Sequence, residues 1–120
     1  MDTPSRSTIA PSRSMDPQTR ARFEARARII KALAHPTRLF LVEELARGER
    51  CVCDLTEMVG VDVSTVSKHL AVLRTAGLVG DEKRGAMVFY RLRVPCALDF
   101  FQCVESVLAA NAEEQSKLVR

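Results

Sequence analysis

Cys51 and Cys53 stand two residues apart in the run Cys51-Val52-Cys53-Asp54-Leu55-Thr56-Glu57. Paired thiols can coordinate a soft ion or undergo redox chemistry, and backbone geometry decides whether they act together. If both were helical they would point about 200° apart and could not close on one ion. If both precede the helix cap, an extended chain places residues i and i+2 on the same side. Asp54-Leu55-Thr56-Glu57 resembles a capping box, with the Asp54 carboxylate accepting from an early helical N–H and Glu57 reaching back. The sequence therefore favours convergent thiols ahead of a cap at Asp54. A nearby helix N-terminus would also favour the thiolate. The plainer alternative is two small core residues, since free cysteine buries readily.

Cys96 and Cys103 share an apolar stripe with Phe100 and Val107, at spacing i, i+4, i+7 and i+11. They either pack in a seam between helices or supply a further thiolate to Cys51 and Cys53, within or across subunits. His35 and His69 are the only histidines, and neither sits in a ligand-like pair.

A second kind of chemistry lies just downstream. On a helical wheel from Val63 to Ala76, Val66, Leu70 and Leu73 form a core stripe, while Ser64, Lys68, Ala71 and Thr75 point away, flanked by Thr65 and Ser67. Short hydroxyls let a helix approach base edges, and Lys68 can reach a phosphate or a guanine edge. His69 lies at the edge of the stripe, where it packs or faces a phosphate. Ser64, Thr65, Ser67, Lys68 and His69 are thus candidates for contact with double-stranded DNA, together with Lys83, Arg84 and Arg91 further on.

These side chains need a scaffold, and its signals are readable. Met1 to Pro17 is rich in Ser, Thr, Pro and Arg without apolar periodicity, which predicts a flexible tail. Gln18 to Ala34 carries Phe23, Ala27, Ile30 and Ala34 at helical spacing. His35-Pro36 breaks that helix and opens a second, Pro36 to Ala46, with Leu39, Val42, Leu45 and Ala46 inward. A short helix from Leu55 to Val59, a turn at Gly60-Val61, and a long helix from Val63 to Ala76 capped by Asp62 and ended by Gly77 make a helix-turn-helix. Leu78 to Lys83 and Ala86 to Arg93, joined at Arg84-Gly85, read as a β-hairpin, the wing. Pro95 opens a last helix that turns polar and frays beyond Asn111. The predicted class is mostly α with a small β-hairpin, a winged helix-turn-helix over residues 18–111 followed by a polar tail, 112–120. Dimerisation would use the first and last helices through Phe23, Ile30, Phe100 and Val107.

Composition agrees. The chain of 120 residues, 47% apolar, has the size of one domain completed by a partner copy. Its net charge is only +3, but the stretch from Val63 to Arg93 alone is +4 and the remainder −1. Concentrated positive charge suits a polyanion. No apolar run or leader pattern directs the chain to a membrane, so a cytoplasmic protein is expected, where permanent disulfides are uncommon.

Three ordered blocks carry a family resemblance: Leu33-Ala34-His35-Pro36-Thr37-Arg38-Leu39, Cys51-Val52-Cys53-Asp54-Leu55, and Val66-Ser67-Lys68-His69-Leu70-Ala71-Val72-Leu73-Arg74-Thr75-Ala76-Gly77-Leu78-Val79. Together they resemble the ArsR/SmtB winged-helix repressors over roughly Thr19 to Ala110. The resemblance implies a homodimer that sits on a near-palindromic operator and leaves it when a toxic metal or metalloid binds. The cysteine block is similar to that of the arsenic-responsive members, which take As(III) or Sb(III) through thiolates. Those members usually carry a third cysteine where this chain has Thr56, so Cys96 or Cys103 would have to complete a three-thiolate site, Cys96 being preferred. The family's zinc site of Asp and His ligands on the last helix has no counterpart, because Asp99 is followed by Phe101 and that helix lacks histidine.

Other readings of the same residues keep the repressor but make the trigger Cd(II), Pb(II) or thiol oxidation, or make the chain a passive thiol metal buffer. A thiol enzyme would need a nucleophilic cysteine in a catalytic frame. No Cys-x-x-Cys, Cys–His pairing or phosphate loop supplies one, and nothing calls for an organic cofactor or a membrane partner.

Overall fold

The computed structural model describes residues 14–119. The predicted tail over residues 1–17 falls mostly outside them. Helix α1 (Pro17–Leu33) begins one residue earlier than periodicity suggests, because the Asp16 carboxylate accepts from the Thr19 N–H at 2.8 Å and caps it. Residues 14–31 form one unit, with Phe23, Ile29 and Ile30 exposed along the helix.

The second unit, from Ala32 onward, holds the core. Helix α2 (Pro36–Ala46) has His35 as its N-cap, with the ring Nδ1 accepting from the Thr37 N–H at 3.1 Å, while Pro36 occupies a first-turn position whose missing N–H costs nothing. Its inward face is Leu41, Val42 and Leu45. This corrects the expectation for Leu39, which is exposed, and for Ala46, which is only half-buried.

A two-residue strand, β1 (Arg50–Cys51), leads directly into helix α3 (Val52–Val59). Gly60 ends α3 in the left-handed region at φ 83°, and Asp62 precedes helix α4 (Val63–Thr75). The end of α4 is a Schellman motif: Gly77, at φ 87°, donates to Arg74 O at 2.9 Å, and Leu78 donates to Leu73 O at 3.0 Å. Leu73 and Leu78 are both buried there.

Strands β2 (Val79–Arg84) and β3 (Met87–Leu92) form the predicted hairpin, with its turn at Gly85-Ala86, the first arm shifted by one residue and the second shorter at both ends than expected. The sheet has three strands in the order β1-β3-β2, all antiparallel. The strand β1 was not anticipated: Arg50 pairs with Tyr90, and Cys51 with Phe89. Helix α5 (Ala97–Val119) packs Ala97 and Phe101 inward and continues through the segment predicted to fray after Asn111.

Leu33, Leu41, Val42, Leu45, Leu55, Val66, Leu70, Leu73, Leu78, Val79, Tyr90 and Phe101 form one apolar cluster. Burial of each such side chain contributes on the order of 1.5–3 kcal/mol. Among the described residues, no helix is long and apolar enough to cross a membrane.

Candidate thiol centre and nucleic-acid interface

The thiols converge, though by a different route from the one the sequence suggests. The cap of α3 is Cys51 rather than Asp54: its backbone is extended (φ −80°, ψ 159°), and its Sγ accepts from the Asp54 N–H at 3.3 Å. Cys53 lies in the first turn of the same helix. One cysteine on each side of the strand-to-helix boundary brings the sulfurs together, and they are joined as a disulfide with the Cα atoms 5.3 Å apart. This differs from the expectation of free thiols. Reduction would return two thiols at the N-terminus of α3, where N–H donors and the helix dipole face the sulfurs.

A carboxylate oxygen of Asp54 lies within 4.8 Å of both sulfurs, which adds a hard donor that sequence reading had assigned to capping. Cys51 is 2% exposed and Cys53 is open to solvent, so a ligand would enter from the Cys53 side. Cys96 and Cys103 are exposed and do not join this group within one chain. Cys96 lies in the turn before α5 rather than on it. Thr56, the position of the missing cysteine, has its Oγ1 buried without a hydrogen-bond partner.

Helix α4 presents the predicted faces. Val66, Leu70 and Leu73 are fully buried, while Ser64, Lys68 and Thr75 are exposed and Thr65, Ser67 and Ala71 half-buried. Two of the candidate hydroxyls are engaged locally: Ser64 and Thr65 donate to the two Asp62 carboxylate oxygens at 2.5 and 2.6 Å. The Ser64 bond and then the Thr65 bond hold the Asp62 carboxyl below its ordinary range.

His69 meets partners that the sequence did not reveal. Its Nδ1 is 3.1 Å from Arg38 Nη1, and its ring centroid is 4.3 Å from that of His35. The two histidines, read as unpaired, are therefore neighbours. A guanidinium can only donate, so His69 accepts at Nδ1 and carries its proton on Nε2. Burial, then His35 and Arg38, push its pKa down.

The wing is crossed by ion pairs. Arg74 at the end of α4 donates to Asp81 Oδ2 at 2.8 Å, tying that helix to β2. Arg84 is gripped by Glu49 at 2.9 and 2.7 Å and by Glu82 at 2.9 Å, and lies 4.6 Å over the Phe89 ring. Lys83 occupies the opposite sheet face from Arg84 by register, and the Arg91 guanidinium lies across Gly80. The basic candidates thus share a hairpin but not one surface.

The family described as "Bacterial regulatory protein, arsR family" matches residues 35–80, from the α2 cap into β2. The arsenic resistance transcriptional regulator ArsR1 of Pseudomonas putida is 40% identical over 88 residues, covering 71% of this chain and 67% of that protein. The chain belongs to the ArsR family. It is accordingly a transcriptional regulator of winged helix-turn-helix build. A second family relative, the biofilm growth-associated repressor of Xylella fastidiosa, is also 40% identical over 88 residues, covering 73% of this chain and 77% of that one. Among solved structures, a homodimeric winged helix-turn-helix DNA-binding domain from Mycobacterium bovis superposes with a TM-score of 0.69 at 29% identity, covering 88% of this chain and 95% of that chain. The relatives' names diverge in what they regulate, so the trigger must be argued from this chain's own thiols.

Proposed function

We propose that the chain is a cytoplasmic, homodimeric repressor that grips near-palindromic operator DNA with α4 and the wing, and leaves it when reduced Cys51 and Cys53 capture As(III) or Sb(III). One observation carries this reading: the two sulfurs meet at the first turn of α3, the helix that precedes α4 in the helix-turn-helix. Each thiol that replaces a hydroxyl of As(OH)3 releases one water, and soft thiolates suit that centre. A third sulfur, Cys96 or Cys103, would have to come from the partner subunit or from a rearranged chain, since neither joins the group here. Phe23 and Ile30 on α1, and Phe100 and Val107 on α5, are large apolar side chains open to solvent in the single chain, and a second copy would cover them.

Closure of the thiol site would pull on β1 and α3 and tilt α4 away from paired major grooves, shifting the population toward a dimer unable to bind DNA. Fluorescence anisotropy on the reduced protein with its own upstream DNA tests this. Arsenite should release the wild-type chain, whereas Cys51→Ser and Cys53→Ser should bind DNA normally and stay bound. Release of either variant at the wild-type arsenite concentration removes that residue from the site.

The bond between Cys51 and Cys53 favours a second reading, in which oxidation of the same pair is the trigger. Release by a thiol oxidant, reversed by dithiothreitol and absent in Cys53→Ser, would select it. Cd(II) or Pb(II) in place of arsenite separates the remaining ions.

A further inference from the structure

Arg84 carries one of the positive charges that a DNA-contacting wing would use, yet its guanidinium is already occupied. Nη1 donates to Glu49 Oε1 at 2.9 Å and Nη2 to Glu49 Oε2 at 2.7 Å, the parallel two-bond geometry that a guanidinium also uses on a phosphate. Glu82 Oε1 takes a further bond at 2.9 Å. The flat face of the guanidinium is covered by Phe89, which shares a sheet face with Glu82 by cross-strand pairing. For Arg84 to reach DNA, a carboxylate must let go.

Glu49 and Glu82 differ in what they are attached to. Glu82 is on Arg84's own strand and travels with it. Glu49 belongs to the connection that runs into β1, two positions before Cys51, and Cys51 is itself paired with Phe89. We infer that Glu49 is an intramolecular stand-in for a DNA phosphate: it occupies Arg84 in the free protein and thereby sets the affinity of the wing for DNA. The inference rests on the reading of the hairpin as a DNA-contacting wing. It adds an affinity-determining residue outside the wing, in the connection just before the strand that carries Cys51. Its chemistry is an exchange of one oxyanion for another, so its strength depends on the Glu49 charge and not on base sequence.

A phosphate contact is indifferent to sequence, so a fluorescein-labelled mixed-sequence duplex about three helical turns long is a sufficient probe. Anisotropy titrations on the reduced, ligand-free protein would compare wild type, Glu49→Gln, Arg84→Ala and the double variant across a salt series. Glu49→Gln should bind about two- to five-fold more tightly per subunit, with a log–log salt slope close to that of wild type, because Arg84 neutralises the same phosphate in either complex. In the Arg84→Ala background, Glu49→Gln should bring no such gain, because no guanidinium is left to release. Equal tightening in both backgrounds would mean that removing any acidic charge helps, and would overturn the inference. So would no tightening at all. A wild-type chain that binds no duplex would overturn the DNA-binding reading itself and this inference with it, whereas a wild-type chain that binds DNA but ignores Glu49→Gln overturns only the latter.

Discussion

Helix α4 and the β2–β3 hairpin are neighbours tied by the Arg74–Asp81 pair, and both offer cations to a polyanion, but different forces hold them. Val66, Leu70 and Leu73 of α4 have no solvent exposure, and a Schellman motif closes the helix, so its outward face is aimed by burial. In the hairpin only Val79 and Tyr90 are buried; its long side chains are arranged by surface ion pairs that exchange readily and stabilise little. On the proposed reading, the helix would determine where a DNA contact is made, and the hairpin whether a charge is available to make it.

The sharpest way to break that contrast is to remove burial from one side. Leu70→Ala should cost about 2–5 kcal/mol, as expected for a leucine deleted from a closed core. Val88→Ala, at a half-buried position in the hairpin, should cost less than about 1.5 kcal/mol. Urea unfolding followed by circular dichroism measures both. A hairpin variant as damaging as Leu70→Ala would show that the wing is part of the core scaffold rather than an appendage of it.

Next in size is DNA affinity. Lys68 is exposed on α4 with no ion pair among the described residues, so Lys68→Ala should weaken duplex binding and flatten the salt slope by about 1 per neutralised phosphate. Arg84→Ala should cost less, because the free protein already spends that guanidinium on Glu49 and Glu82. If Arg84→Ala proves the more damaging of the two, the pairs seen in the hairpin do not restrain the side chain and the distinction between placement and availability fails.

The same contrast explains what could be read from the sequence. Val66, Leu70 and Leu73 announce themselves by a period that burial enforces, and Gly77 by a conformation that only glycine adopts freely. The wing was legible as two arms around Gly85. The partner of Arg84 was not, because Glu49 is 35 residues away and no local pattern couples them. Strand β1 is two residues long, too short for any alternation to register. The thiol centre was half legible: the convergence of Cys51 and Cys53 was anticipated, but the cap was placed three residues late because Asp54 followed by Glu57 imitates a capping box, whereas a sulfur does the capping. His35 and His69 could be seen only as isolated residues, since α2 and α4 bring them together through tertiary packing.

That histidine pair supplies the smallest expected effect, and it tests whether α4 is as rigidly seated as its core face suggests. His69 accepts from Arg38 and lies against His35, and no carboxylate figures among the groups that shift it. Burial first, then His35 and Arg38, depress its folded pKa below the usual histidine value near 6.5. The unfolded chain therefore binds more protons than the folded one in the window between the depressed value and about 6.5, and stability rises with pH there. It is fully present above that window and is lost as pH falls through the folded pKa. Asp16, Asp62 and Glu82 are also depressed, but from carboxylate values near 4, so they act at lower pH and leave the histidine window clean. Thermal melts should fall modestly between pH 7 and about pH 5.5, and His69→Gln, which keeps an acceptor for Arg38 without a titrating ring, should flatten the profile. A His69→Gln profile parallel to wild type across that window would show that protonation meets no resistance at this joint, and that α4 can shift to accommodate the charge despite its buried leucines.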